Sequence, residues 1–448
     1  MRAATAQMLL TQMLLVLATA AQDCPVDQPR AWSTGSRECL APARERDAAR
    51  IVGDRRRGRA AVDASRTRRD RRRGRAARRD AQNTGRRGRC GVEFESRSPA
   101  FDRLVDGASH EFLVQGEADA LGAHEGAVFL ERGAAGDEAP CLIFTTKPQI
   151  RDDARWVARI KRLVVGGPEK GRIDTLFESE NLVNGATLGH DGRLYFCFQG
   201  GQDGEEEYLP SGIYSVDPHN ASDVRIVTDA WNDGSDGFDP LYYSSPNDVV
   251  VKRDGTVWFT DPSYAHAHGL TPRPSLGEWV WRFDGKNAST VVADGFSRPN
   301  GLVFSPDERT LYVTDTGYAR GGGPSVDKAA PRSVYAFDVR KGRYLANRRL
   351  IYVADRGIPD GIKVDARGRI YTGCEDGVHV LSRDGVLLGK IKLPGTDPAA
   401  NLAFGRGPWR STLYILDESS VTAVTLRTRG APVGRERKPT KPARGDDK

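Results

Sequence analysis

The chain has 448 residues, a formal net charge of +7 and 38% apolar residues, which suits one large domain or two of ordinary size. Between Arg44 and Arg89 there are 19 arginines and six acidic residues, so this segment carries +13 and the rest of the chain sums to −6. The basic isoelectric point therefore belongs to one segment and does not identify the whole molecule as a nucleic-acid-binding protein. After residue 20, no stretch approaches the roughly 18 apolar residues of a membrane-spanning helix.

Residues 1–20 have the features of a secretory signal peptide. Arg2 supplies positive charge, the residues from Met8 to Leu17 are mostly apolar, and small residues follow for cleavage. The apolar run is too short to span a bilayer. We therefore expect a secreted, extracellular protein without a membrane anchor. Two sequons, which begin at Asn220 and Asn287, fit a secreted glycoprotein, although such tripeptides also arise by chance.

The chain contains six cysteines, an even number that permits disulfides in an oxidising compartment. Cys24 and Cys39 form a candidate pair because both precede the part of the chain that is predicted to fold. Cys141 and Cys197 lie within apolar, strand-like runs, so we expect buried thiols at these positions. No C-x-x-C pair occurs, which disfavours a cysteine zinc site.

Residues 21–97 form a cysteine-containing and arginine-rich segment that we predict to be disordered, because it contains too few apolar residues to form a core. A basic arm for nucleic acid or an acidic polymer is an alternative, but interleaved aromatic residues and a binding motif are both lacking. A stretch outside the native reading frame is a third interpretation. Residues 427–448, rich in Arg, Lys, Pro and Gly, are predicted to be a disordered tail.

From about Phe101 the sequence has an all-β pattern, in which apolar and β-branched runs alternate with Gly, Asp and Pro turns. Asp-Gly pairs such as Asp191-Gly192 and Asp254-Gly255 indicate hairpins. One unit recurs: a polar residue, an apolar strand, a turn and a second strand. Repeats of 41 to 63 residues with about four strands each predict a six-bladed β-propeller over residues 98–426. The repeated polar residues are Glu125, Asn184, Asn247, Asn300, Asp360 and Asn401.

In a propeller the innermost strand of each blade lines a central channel, so the six repeated polar residues should converge there. Their use as turn residues explains one or two copies, but explains six copies less well. Carboxylate and carboxamide oxygens without a thiolate suit a hard divalent cation. Glu125 and Asp360 would neutralise the ion, and the asparagines would add neutral oxygens. Calcium is the first expectation, and magnesium, manganese and zinc are alternatives.

Four of the repeats carry motifs that resemble those of the senescence-marker/gluconolactonase/luciferin-regenerating-enzyme family. The motifs are residues 125–129 (EGAVF), 246–250 (PNDVV) continuing to 259–264 (FTDPSY), 298–302 (RPNGL) and 359–362 (PDGI). The resemblance covers about Phe101 to Leu426, and the order of the motifs is most similar to that of fungal-type lactonohydrolases. It implies a six-bladed propeller with one catalytic divalent metal ion, and many members of this family hydrolyse sugar lactones.

The resemblance also implies roles for individual residues, motif by motif. Glu125, Asn300 and Asp360 match the metal ligands, and Asp360 also matches the proposed general base. Asn247 matches a residue that touches the substrate or completes the metal shell.

Other polar residues near the motifs have further expected roles. Asn184 stands where many family members have no polar ligand, and it is a candidate substrate contact together with Tyr264. Asn401 is expected to be structural or to lie at the rim. His124 is expected to pack beside Glu125 or to support it from outside the ligand shell.

The predicted activity is metal-assisted hydrolysis of an intramolecular ester. The ion would hold the lactone carbonyl, water activated by the ion or by Asp360 would attack, and protonation of the ring oxygen would release a hydroxy acid. No Gly-x-Ser-x-Gly motif occurs, which disfavours a serine nucleophile. The alternatives are an organophosphate or aryl ester hydrolase on the same metal propeller, a metal-independent strictosidine-synthase-like propeller, and a non-catalytic binding propeller. No specific nucleic-acid or membrane partner is expected.

Overall fold

The computed structural model of the protein describes most of the chain after residue 90. The described ranges are 91–116, 121–132, 139–151, 155–202, 208–232, 241–286, 289–319, 326–395 and 397–432. The predicted signal peptide, nearly all of the arginine-rich segment, the candidate Cys24–Cys39 pair and the tail after residue 432 lie outside these ranges. Neither sequon is described with all of its side chains, so these predictions stay predictions.

Two strands and a helix lead the chain into the propeller. They are β1 (Glu93–Ser96), α1 (Pro99–Val105) and β2 (Ser109–Gln115). The Ser98 hydroxyl caps α1 by accepting a hydrogen bond from the Phe101 N–H at 3.2 Å, and Pro99 occupies the first turn. Phe101 and Leu104 are buried, so this short helix is anchored by its apolar face.

The first blade is a five-stranded antiparallel sheet, and the second and third blades are each built on a four-stranded antiparallel sheet. The first blade contains β3 (Ala123–Leu130), β4 (Cys141–Thr146), β5 (Gln149–Ile150), β6 (Trp156–Val164) and β7 (Ile173–Ser179). The second contains β8 (Val183–Leu188), β9 (Leu194–Phe198), a hairpin of β10 (Gly201–Gln202) and β11 (Tyr208–Leu209), β12 (Gly212–Asp217) and β13 (Asn220–Thr228). After the pair β14 (Ala230–Asn232) and β15 (Leu241–Tyr242), the third contains β16 (Val249–Val251), β17 (Val257–Asp261), helix α2 (Tyr264–Ala267), β18 (Trp279–Phe283) and β19 (Thr290–Ala293).

The last three blades follow the same order from the inside outward. The fourth contains β20 (Pro299–Phe304), β21 (Thr310–Asp315), β22 (Ser333–Arg340) and β23 (Tyr344–Val353). The fifth contains β24 (Ile362–Val364), β25 (Ile370–Cys374), β26 (Gly377–Leu381) and β27 (Leu387–Lys392). The sixth contains β28 (Asn401–Phe404), a 3-10 turn (Gly407–Trp409), β29 (Thr412–Leu416) and β30 (Ser420–Thr425).

Strands from the beginning of the described chain complete the last two blades. Strand β2 pairs antiparallel with β30, with Ser109 opposite Thr425, and is the outer strand of the sixth blade. Strand β1 pairs with β27 and adds a fifth strand to the fifth blade, so residues 93–96 belong to the propeller and not to the segment predicted to be disordered. The innermost strands contact one another in order around the ring, and β28 contacts β3. The prediction of a six-bladed β-propeller is therefore confirmed.

The core of the described residues is divided into six apolar clusters, and each cluster fills the space between two neighbouring blades. This division follows from strand geometry, because successive side chains point to opposite faces of a sheet and each blade therefore has two apolar faces. Trp258 and Leu302, for example, meet between the third and fourth blades. Cys141, Cys197 and Cys374 are buried, as expected for the first two.

The turns and helices also follow from local sequence. The glycines of the predicted Asp-Gly turns have positive φ, as Gly192 (90°) and Gly255 (86°) illustrate, and both turns join the first two strands of a blade. Helices α1 and α2 have seven and four residues. Among the helices in the described ranges, none has the length and apolar content needed to cross a membrane.

Candidate metal centre

The six repeated polar residues lie at or just before the first residues of the innermost strands. Because all six strands begin at the same end of the channel, their polar residues are brought together there. Five of the six side chains are buried, and Asp360 is partly buried. The five exposed fractions are 2% for Glu125, 7% for Asn184, 3% for Asn247, 5% for Asn300 and 1% for Asn401. The structure thus gathers all the predicted metal ligands in one place.

Glycines that follow the polar residues allow neighbouring inner strands to approach closely. A Cβ atom on Gly185 would lie 2.3 Å from the carbonyl oxygen of Asn247, and one on Gly301 would lie 2.6 Å from that of Asp360. The Gly185 N–H also donates a hydrogen bond to the Asn247 carbonyl at 2.8 Å. The glycine in the N-G motif is therefore needed for contact between blades as well as for local conformation.

Threonines on the second strands hold the backbone of the next blade's polar residue. The Thr145 hydroxyl donates to the Asn184 carbonyl at 2.7 Å, and the Thr260 hydroxyl donates to the Asn300 carbonyl at 2.6 Å. In the fourth blade, Thr314 is within hydrogen-bonding distance of the Asp360 carbonyl at 3.1 Å. No role for these threonines was predicted from the sequence, although threonine recurs near the end of the second strands.

Two aspartates fix the chain that enters the third and fourth inner strands. Asp261 accepts hydrogen bonds from the Ser244 and Ser245 N–H groups at 3.0 and 2.7 Å. At the equivalent place, Asp315 accepts from the N–H groups of Ser297 and Arg298 at 3.0 and 2.9 Å. Both carboxylates are fully buried, so they position the residues that precede the site asparagines. These roles were also missed from the sequence.

Four buried oxygens in the ring have no hydrogen-bond partner among the described residues. They are the Oδ1 atoms of Asn184, Asn247, Asn300 and Asp360. Unpaired buried polar atoms are costly, and in native proteins they commonly mark a binding partner that completes them. Oxygen donors of this kind suit a hard cation such as Ca²⁺ or Mg²⁺. The donor set therefore fits a divalent cation.

Asn401 differs from these four residues. Its Oδ1 accepts a hydrogen bond from the Leu402 N–H at 2.7 Å, and its Nδ2 donates to the Glu125 carboxylate. Both ends of its amide are therefore occupied by protein atoms. Asn401 holds Glu125 and leaves no free oxygen for a cation.

The pKa values of the two carboxyl groups of the ring, Glu125 and Asp360, are both raised. Burial, and then repulsion by Asp360, raises the pKa of Glu125. Burial also raises the pKa of Asp360, and the charge of His124 and hydrogen bonding with Asn300 partly oppose this shift. Two carboxylates held together without a cation repel each other, so a divalent ion would relieve the repulsion.

Asp248 is a third buried carboxyl group, 2% exposed, next to the ring. Its Oδ1 accepts from the Val249 N–H at 2.9 Å and its Oδ2 from the Leu302 N–H at 3.3 Å. Burial raises its pKa. Because both of its oxygens already accept backbone hydrogen bonds, Asp248 joins the inner strands of the third and fourth blades.

Tyr264 contacts the ring from the start of α2. Its hydroxyl accepts a hydrogen bond from Asn300 Nδ2 at 3.3 Å and also pairs with the Thr316 hydroxyl. The Arg298 guanidinium lies over its ring, 5.4 Å from the ring centroid. Since Tyr264 occupies the amide nitrogen of Asn300, the amide oxygen remains available.

His124 lies beside Glu125 and faces a carboxylate from the sixth blade. Its Nδ1 is 3.5 Å from Glu418 Oε1, and Lys147 Nζ is 2.8 Å from Glu418 Oε2. Burial opposes protonation of His124, but Glu418 and the ring carboxylates outweigh it and raise the pKa of the imidazole. Glu418 has a φ of 68° and exchanges backbone hydrogen bonds with Ala123. This strained residue thus joins the last blade to the first at the edge of the ring.

The donor set is unusual in being rich in amides. Within the described part of the chain, no three His, Cys, Asp or Glu side chains converge as a metal cluster. The candidate centre instead combines two carboxylates with three asparagines. Asparagine oxygens bring no charge, so they can coordinate an ion without adding to the repulsion between the carboxylates.

The chain is similar to a known sequence family and to two curated fungal proteins. A sequence profile described as the SMP-30/gluconolactonase/LRE-like region matches residues 174–418. Lactonohydrolase oryL of Aspergillus oryzae is 30% identical over 258 residues, which cover 54% of this chain and 56% of the relative. Lactonohydrolase oryH of the same organism is 38% identical over 197 residues, which cover 40% and 41%. The chain thus spans about half the length of these two curated relatives.

A bacterial protein and a solved structure are also similar to this chain. Gluconolactonase of Zymomonas mobilis is 29% identical over 260 residues, which cover 55% of this chain and 64% of the relative. The structure of a gluconolactonase from Xanthomonas campestris superposes with a TM-score of 0.56 at 27% identity, covering 74% of this chain and 94% of that one. The profile match begins in β7, the last strand of the first blade, so Glu125 lies outside it.

Proposed function

Because the chain belongs to the SMP-30/gluconolactonase/LRE-like family, we propose that it hydrolyses lactones with the help of one bound divalent cation. The observation that carries this proposal is the set of four partnerless buried oxygens, one of which belongs to Asp360, together with the buried carboxyl group of Glu125. The names of the similar proteins, lactonohydrolase and gluconolactonase, support the choice of a lactone as substrate. A sugar lactone or a related cyclic ester is the proposed substrate class.

Glu125, Asn300 and Asp360 would hold the cation, and Asn247 would complete its shell or contact the substrate. Calcium is the first candidate because all the donors are oxygens, and magnesium, manganese and zinc are alternatives. When bound, the cation would polarise the lactone carbonyl and lower the pKa of water. The amide oxygen of Asn184 and the hydroxyl of Tyr264 are the proposed substrate contacts.

Asp360 is the proposed general base. Its carboxylate removes a proton from the attacking water while the oxygen of that water bonds to the lactone carbonyl carbon. The bond between this carbon and the ring oxygen then breaks, and Asp360 returns the proton to the ring oxygen. Lactone and water thus become one hydroxy acid. Thr314 supports this step by holding the Asp360 backbone, and Asn401 supports it by holding Glu125.

The test is hydrolysis of glucono-δ-lactone by purified protein before chelation, after chelation, and after return of each cation, with elemental analysis of the starting protein. Activity should disappear on chelation and return with the cation. Asp360→Asn should abolish turnover, whereas the exposed turn variant Asp384→Asn should retain it. Full activity after chelation would favour a strictosidine-synthase-like propeller, and a preference for aryl esters or organophosphates would change the substrate class. Binding of lactones without turnover would favour a binding propeller.

We further propose that the protein is secreted, on the signal-like composition of residues 1–20. Expression of the full chain with a C-terminal tag, followed by N-terminal sequencing of the tagged product in the medium, tests this. Cleavage near residue 20 is the expected result. A tagged product that stays inside the cell with Met1 intact would contradict it.

A further inference from the structure

The central channel widens into an apolar funnel, here called the lower funnel, at the end opposite the candidate metal centre. Its wall contains Phe129, Leu188, Val250, Val303 and Phe404, one from each of five inner strands. The space measures about 1140 Å³ when counted out to its solvent-open mouth. Because this volume includes open solvent, the apolar wall and the charges around it, rather than the size, indicate a ligand site.

The lower funnel is separate from the candidate metal centre. Each inner strand carries its site residue at or before its first residues, and the funnel residues follow toward its last residues. Asn300 and Val303 show this order on β20. Three residues of extended strand span about 10 Å. None of the predicted metal ligands lines the lower funnel.

The lower funnel has an excess of positive charge, with Lys363 on β24 at the level of Val303 and with Arg410 and Arg429 outside the inner strands. Lys363, Arg410 and Arg429 line it, and no hydrogen bond or ion pair of their side chains is found in the described structure. Lys363 contributes only a longer-range attraction to the buried Asp248. The carboxylate of Glu308 is already engaged, 3.6 Å from Lys252 Nζ and 3.9 Å from Arg253 Nε. Three cations are therefore available to a ligand.

Main-chain hydrogen bonds hold this arrangement in place. The Gly430 N–H donates to the Arg410 carbonyl at 3.0 Å, and the Ala431 N–H donates to the Val364 carbonyl at 3.0 Å. The segment that carries Arg429 is thereby fixed across the fifth and sixth blades. A cationic group on a fixed backbone pays less ordering entropy on binding a ligand than one on a mobile loop.

We propose that the lower funnel binds an amphiphilic organic anion, a molecule with one carboxylate or sulfonate head group and an apolar chain or ring system. The apolar wall would cover the apolar part, and Lys363, Arg410 and Arg429 would contact the head group. An inorganic anion would leave the wall hydrated, and a neutral lipid would leave the three cations unmatched. The chain's own residues 433–448 contain six basic and three acidic residues, so their charge does not match the mouth.

Decanoate, titrated below its micellar concentration into the full chain by calorimetry, is the probe. Decanol and decyltrimethylammonium are the neutral and cationic controls. Decanoate should bind with one site per chain, and the affinity should rise about tenfold from octanoate to decanoate, because each buried methylene adds to the transfer free energy. Lys363→Gln combined with Arg429→Gln should weaken decanoate binding at least tenfold. The charge-matched double variant Lys328→Gln with Arg356→Gln, on exposed loops away from the lower funnel, should bind like the parent.

Thermal melts of each variant establish that it is folded before the titrations are compared. Binding by Asp360→Asn at the parental affinity is expected and would separate this site from the lactone site, whatever the outcome for lactone hydrolysis. The absence of saturable decanoate binding to the folded parent would overturn the proposal. Equal binding of decyltrimethylammonium, or an unchanged decanoate affinity in the Lys363 and Arg429 double variant, would do the same.

Discussion

The side-chain amide of Asn401, in the sixth blade, donates a hydrogen bond to the carboxylate of Glu125, in the first blade. The two residues are 276 positions apart in the chain, and they meet because the ring of blades closes there. Asn401 is itself held by the Leu402 N–H. Closure of the propeller and orientation of a proposed metal ligand therefore depend on the same hydrogen bond.

Asn401→Ala should weaken cation binding without removing a proposed ligand. Loss of the amide frees the Glu125 carboxylate to rotate, and loss of a group that orients a ligand typically lowers metal affinity roughly 10- to 100-fold. Calorimetric titration of Ca²⁺ into protein stripped of cations with a chelator measures the change. Gln115→Ala, which removes an exposed amide on β2, is the matched control and should bind Ca²⁺ like the parent. Parental affinity in Asn401→Ala would show that Glu125 does not need this support.

Glu125→Gln should stabilise the protein when no cation is present. Burial and repulsion by Asp360 disfavour the Glu125 carboxylate, and glutamine removes the charge while keeping an acceptor for Asn401. We expect an increase in the free energy of unfolding of about 1–2 kcal/mol at pH 8, or a few degrees in Tm. Calorimetric melts with a chelator measure the gain, and melts with Ca²⁺ should show a smaller cation-induced rise than in the parent. Glu169→Gln, which removes an exposed charge paired with Arg172 at 2.7 Å, should leave Tm nearly unchanged.

The cation-free protein should lose stability as the pH rises from about 4.5 into the neutral range. Burial is the main cause that raises the pKa values of Glu125 and Asp360 in the folded state, so the folded state binds more protons than the unfolded state in this window. The free energy of unfolding therefore falls as these protons are lost. Urea titrations at several pH values with a chelator test the slope, which should become shallower in Glu125→Gln. With saturating Ca²⁺ the slope should vanish or reverse, because the cation binds the charged carboxylates.

Thr314→Val should reduce both stability and turnover. The change keeps the side-chain shape but removes the hydroxyl that lies 3.3 Å from the Gly301 carbonyl and 3.1 Å from the Asp360 carbonyl. Leaving these buried carbonyls without that donor should cost about 1–3 kcal/mol, and a displaced Asp360 should lower kcat. Urea denaturation and lactone hydrolysis measure the two effects.

Thr314→Ser keeps the hydroxyl and should recover most of the lost turnover. Thr290→Val, at an exposed position of β19, controls for the exchange of threonine for valine and should change neither quantity by much. Parental kcat in a folded Thr314→Val variant would show that this threonine does not position Asp360.

Much of the architecture could be predicted from residues that are close together in the chain. Asp-Gly pairs such as Asp191-Gly192 predict hairpins because glycine tolerates the positive φ of the turn. The recurrence of a polar residue before an apolar strand predicts six blades, and equivalent positions in successive blades must face the same channel. The location of Glu125, Asn300 and Asp360 at one end of that channel follows from this repetition.

The hydrogen-bond partners of each polar side chain could not be predicted from the repeat. Asn300 and Asn401 have equivalent places in their repeats, yet one leaves its amide oxygen unpaired and the other uses its amide to hold Glu125. The difference arises from partners in other blades, Tyr264 in one case and Glu125 in the other. Sequence alone gives the residue type at each position, whereas hydrogen-bond partners depend on which blades meet.

The sequence by itself determined the repeat, the strand order within each blade and the set of polar residues that face the channel, because these depend on local turns and on strand periodicity. Only the tertiary structure decided which oxygens are free, which threonine holds which carbonyl, and that the far end of the channel is an apolar funnel with unpaired cations. Those features depend on contacts between blades and on the path of the chain after the last strand. Residues far apart in the chain make these contacts, and only closure of the ring brings them together.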